Sequence, residues 1–72
     1  MSTLDLVELG ESARVKGIAK ESKVKRKLLD MGVTPGVEVK IVGKAPMGDP
    51  INVEVRGYKL TLRKSEAKDI LV

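Results

Sequence analysis

Val37-Glu38-Val39-Lys40-Ile41, Ile51-Asn52-Val53-Glu54-Val55 and Tyr58-Lys59-Leu60-Thr61-Leu62 each alternate an apolar side chain with a polar one. A period of two predicts three strands, each with one face in a core and the other in water. The segments between them read as turns. Gly43 to Pro50 carries two glycines and two prolines in eight residues, and Arg56-Gly57 is short enough for a tight hairpin. Ahead of the first strand, Val33-Thr34-Pro35-Gly36 places proline where a turn wants a fixed φ and glycine where it wants a positive one. The pattern is that of an antiparallel meander.

Upstream of the meander the period lengthens. Val24, Leu28 and Met31 recur at i, i+4 and i+7, which predicts a helix over residues 23–31 with Ser22 as its cap and Gly32 as its left-handed stop. Leu29 widens the apolar stripe, while Lys23, Arg26, Lys27 and Asp30 fall on other faces. Ala13-Arg14-Val15-Lys16-Gly17-Ile18 reads as one half-buried strand, in which Gly17 suggests a bulge or the close approach of another backbone. Leu4 to Gly10 begins a strand or a turn. Residues 64–69 suggest a short helical turn capped by Ser65, and Ile70-Leu71-Val72 a final strand. The expected fold is mainly β: about five short strands closing as a small barrel, with one short α-helix and a C-terminal helical turn. Residues 1–72 read as a single domain, without linker, repeat or low-complexity tract.

Composition narrows the function. The chain has 72 residues, 42% of them hydrophobic and 33% charged, with one aromatic, no cysteine and no histidine. Folding a chain of this size hides only about 60% of its unfolded surface, and no disulfide supplements the core, so stability has to come from aliphatic packing. Without histidine or cysteine, the four serines and three threonines lack their usual activating base, and thiolate chemistry is excluded. Asp49 in a proline-flanked loop and Glu54 on the wet side of a strand are explained by structure, so no catalytic residue is assigned. Gly43 and Gly48 lack the lysine and hydroxyl of a phosphate-binding loop, and the ten acids never cluster as a metal site does. No cofactor and no metal ligand are expected. The apolar runs are far short of the ~20 residues of a membrane span, and the first ten residues carry Asp5 and Glu8 where a signal peptide carries lysine, so a soluble, cytoplasmic protein is expected.

The net charge of +4 is unevenly placed. Residues 14–27 hold seven cations against Glu21, whereas Asp5, Glu8 and Glu11 give the first thirteen residues a charge of −3. A basic stretch of this kind fits an acidic partner surface, a nucleic acid or an anionic lipid, or serves only as a solvated face. Nucleic acid is not expected. Readers of single strands stack bases on aromatic side chains, and Tyr58 is alone. A polyproline reader would need an aromatic groove for the same reason.

Three segments share a familiar order and spacing: Lys25-Arg26-Lys27-Leu28-Leu29-Asp30-Met31-Gly32-Val33-Thr34-Pro35-Gly36, then Gly48-Asp49-Pro50-Ile51, then Leu62-Arg63-Lys64-Ser65-Glu66-Ala67-Lys68-Asp69-Ile70. Together they closely resemble the FeoA family, small cytoplasmic accessory proteins of bacterial ferrous iron transport. Leu4-Asp5-Leu6 and residues 13–18 extend the resemblance over essentially the whole chain. It implies an SH3-like barrel without catalysis of its own. The implied partner is FeoB, the membrane Fe(II) transporter with a cytoplasmic GTPase domain, through which alone the membrane would be reached. A similar domain forms the C-terminal part of metal-dependent repressors of the DtxR type, so the fold does not by itself fix the partner. On the adaptor reading, Lys23, Arg26 and Lys27 steer toward an acidic surface while Leu29 or Met47 supplies an apolar anchor. Gly32, Pro35, Gly36, Gly48, Asp49 and Pro50 then hold backbone geometry. Self-association through strand edges and weak iron binding through carboxylates are left open.

Overall fold

The computed structural model describes residues 2–72. A short 3-10 helix, Leu4–Leu6, is followed by strands β1 (Ser12–Arg14) and β2 (Gly17–Ile18) and helix α1 (Lys25–Asp30). The meander follows as β3 (Glu38–Lys44), β4 (Ile51–Val55) and β5 (Tyr58–Leu62), and the chain closes with helix α2 (Lys64–Ala67) and strand β6 (Ile70–Leu71). The strands form an antiparallel four-stranded sheet in the order β1-β3-β4-β5 and a two-stranded sheet of β2 with β6.

The meander folds as its alternation requires. Val39, Ile41, Val53, Val55 and Leu62 are buried, and Glu38, Lys40 and Asn52 face water. β3 runs on to Lys44, further than the glycine and lysine at its end suggested, because a bulge between Ile41 and Gly43 absorbs the change of register against β4. Arg56 at φ 51° and Gly57 at φ 84° make the two-residue hairpin between β4 and β5.

The preceding turn is as legible. Pro35 and Gly36, the latter at φ 91°, occupy the middle of a turn closed by the Val37 amide donating to the Thr34 carbonyl at 3.1 Å. Gly32, at φ 96°, ends α1 in a Schellman motif: the Val33 amide donates to the Leu28 carbonyl and the Gly32 amide to that of Leu29, both at 3.0 Å. Leu28 and Val33 are fully buried, which supplies the apolar contact that such an ending wants.

Five expectations are corrected. The single strand over residues 13–18 is two strands in different sheets, which makes six strands in all. The Val15 amide bonds the Val37 carbonyl, but the Lys16 amide turns to Leu71, so the chain changes sheets between them. Gly17 sits at no bulge and a Cβ there would meet nothing within 4 Å, so the glycine marks this crossing rather than a close approach. The helix begins at Lys25, not 23, because Ser22 acts one turn early: its Oγ accepts from the Val24 amide at 3.2 Å. Ser65 lies within α2 and does not cap it. Arg63 holds the cap position, and the Glu66 carboxylate reaches back to the Arg63 amide at 2.8 Å. Tyr58, finally, lies on the core side of β5 by register, opposite the buried Val55, but is itself 75% exposed.

Candidate functional site

Glu66 is the one buried charged residue among those described. Its position in α2 is fixed by the backbone bond to Arg63, and its other oxygen, Oε2, accepts from Lys27 Nζ at 2.8 Å across 39 residues of sequence. The lysine hydrogen bond first, then the Arg63 amide, holds the Glu66 carboxyl below its ordinary pKa, against the opposing effect of burial. One ion pair thus ties α1 to α2.

Beside that pair lies a groove of about 500 Å³ lined by Lys27, Asp49, Pro50, Thr61, Arg63 and Glu66. Its far wall is the β3–β4 loop. The Gly48 amide donates to the Ala45 carbonyl at 2.7 Å to close a turn with Pro46 and Met47 at its tip. Asp49 holds the loop down by accepting from the Lys64 amide at 2.9 Å, and the Asp49–Pro50 peptide bond is cis. Thr61 donates to Asn52 Oδ1 on the neighbouring strand at 2.9 Å.

The groove brings together some of the residues singled out from the sequence and leaves others apart. Lys27, Asp49 and Pro50 line it, and Gly48 shapes the loop beside it. Lys23, just ahead of α1, and Arg26 on it are exposed away from the groove, Arg26 facing Asp30 at 3.5 Å in a solvent-exposed pair worth little. Leu29 is half-buried and packed on the core. Met47 is 89% exposed. Pro35 and Gly36 serve their turn, whose carbonyl at Gly36 accepts from Arg14 Nη1 at 2.7 Å. The sequence reading missed Thr61, Arg63 and Glu66, since nothing local marks them. A signal was present in Arg63 and Glu66, three apart at a helix start, which is the spacing of a reaching-back carboxylate. No group of three or more acidic side chains that could hold a metal ion occurs among the described residues.

The model of the FeoA domain matches residues 2–72. The chain belongs to the FeoA family. Among solved structures, a FeoA-like protein from Clostridium acetobutylicum is 57% identical, with a TM-score of 0.88 over 99% of this chain and 86% of that one. FeoA from Stenotrophomonas maltophilia, solved with zinc, is 34% identical, with a TM-score of 0.87 over 100% of this chain and 89% of that one. That protein is described as an SH3-domain protein and suggested to act as a ferrous iron transport activating factor. The FeoA chain described here therefore has an SH3-like fold. A manganese-dependent transcriptional repressor shares the fold at 16% identity, with a TM-score of 0.85 over 96% of this chain and 39% of the repressor.

Proposed function

We propose that this FeoA protein is a non-catalytic, cytoplasmic adaptor of bacterial ferrous iron uptake that acts by contact with the GTPase region of a FeoB-type Fe(II) transporter. Membership of the family over residues 2–72 carries the reading. The chemistry of the chain supports it: histidine and cysteine are absent, and the buried carboxylate of Glu66 is already committed to Lys27 and the Arg63 amide. What remains on the surface suits recognition. Arg26 and Lys27 are exposed on α1 and Lys23 just ahead of it, and Met47 is exposed at the tip of the β3–β4 loop. Leu29, packed on the core, belongs to the contact only through its exposed part.

The experiment is a titration of the purified chain with the cytoplasmic portion of the transporter, with and without guanine nucleotide, at physiological salt. Saturable binding is expected, weakened by Lys23→Glu/Arg26→Glu chiefly through the association rate and by Met47→Ala through the dissociation rate. Lys27 is left out of the charge reversal because its loss would also strand Glu66. Absence of binding in every nucleotide state overturns the proposal.

A further inference from the structure

β5 is the last strand of its sheet, and its pairing leaves one side open. The two-residue hairpin closes on the pair Val55 and Tyr58, and hydrogen-bonded pairs alternate along an antiparallel ladder, so Tyr58, Leu60 and Leu62 direct their amides and carbonyls to β4. Lys59 and Thr61 direct theirs outward. Among the described residues, no backbone bond to another element takes them up.

The side chains along this edge form a two-sided pattern. On the core side, Tyr58 is exposed and Leu60 only half-buried, so apolar surface borders the open backbone. On the outer side stand Lys59 and Thr61, with Arg56 before them and Arg63 and Lys64 after. Residues 56–64 hold four exposed cations and no acid, a charge as large as that of the whole chain. Acids close to these cations are already placed: Glu54 lies opposite Lys59 in β4, Asp49 holds the Lys64 amide, and Glu66 is committed to Lys27 and the Arg63 amide.

We infer that the β5 edge takes up an extended acidic segment of another protein as a fifth strand of the sheet. Backbone bonds at Lys59 and Thr61 would supply affinity, and alternation would supply specificity: apolar residues beside Tyr58 and Leu60, glutamate or aspartate beside Lys59 and its flanking arginines. A second copy of this chain is the wrong occupant, because pairing β5 with itself opposes four cations to four. A lysine on an edge strand guards against aggregation by this repulsion, and the same charge selects an acidic strand. The β5 edge adjoins the groove, sharing Thr61 and Arg63 with it, but the inference rests on the open backbone of the strand and stands without the transporter assignment.

The probe is a blocked seven-residue peptide alternating valine and glutamate, followed by amide hydrogen exchange and NMR. In the free protein the Lys59 and Thr61 amides are expected to exchange fast and those of Tyr58, Leu60 and Leu62 to be protected. Saturating peptide is expected to slow exchange at Lys59 and Thr61 at least about tenfold. The valine–lysine counterpart does not, nor does the acidic peptide N-methylated at alternate residues on its pairing edge, a control that alters nothing in the protein. Lys59→Glu is expected to weaken binding about tenfold. Thr61→Pro, which removes an outward amide and leaves the β4 ladder intact, abolishes protection at Lys59 with the fold retained. No protection at about 1 mM peptide overturns the inference. So does binding of both peptides alike, or a dimer in the absence of peptide that already protects these amides.

Discussion

Glu66 concentrates more of the architecture than any other side chain, since its two oxygens join the start of α2 to α1. Because its carboxyl is held below the ordinary pKa when folded, the ionised form favours the native state. That contribution is complete above the usual carboxylate range and is lost as pH falls through the depressed folded value. Glu66→Gln should therefore destabilise by about 1–2 kcal/mol at neutral pH, discounted for the 60% exposure of the lysine side chain. Melting curves of wild type and variant should converge in acid; a gap that persists there would refute this role. Gly32 tests backbone conformation alone. A Cβ at that position meets nothing within 4 Å, so Gly32→Ala carries only the penalty of φ 96°, about 1–2 kcal/mol, or roughly 4–8 °C of melting temperature per kcal/mol.

Among the elements, β3 and β4 are the two strands paired on both sides, and β3 buries Val39 and Ile41 completely. Val39→Asp places an unpaired carboxylate there and should abolish cooperative melting; a variant that melts like its parent would show that β3 is not a core strand. β3, β4 and the turns around them were legible because period, glycine and proline act locally. The division of residues 13–18 was not, since Val15 and Lys16 keep the alternation while their amides answer to Val37 and Leu71 in different sheets. The helix starts were misjudged for a related reason: Ser22 accepts from the Val24 amide before α1 begins, and Ser65 lies inside α2, whose start is set by the Arg63 amide donating to the Glu66 carboxylate. The groove was hidden because Lys27, Asp49 and Arg63 meet only through the sheet and the two helices.

For the whole molecule, the two-stranded sheet couples the ends of the chain. β6 pairs with β2, Leu71 bridges to Thr3, and the Val72 amide donates to the Ser2 carbonyl at 3.0 Å. Forming this sheet brings together residues more than fifty apart in sequence, so its closure should belong to the late steps of folding. Ile70→Val, at a fully buried site, is expected to lose about 0.5–1.5 kcal/mol, expressed mainly as faster unfolding; a slower folding limb with unchanged unfolding would place the closure early. Adjacent ends also mean that the order in which the elements are connected is separable from the fold they make. A short linker from residue 72 to residue 2, with new ends opened at Pro46-Met47 on the exposed loop tip, should yield a circular permutant with the same core and the same ladder.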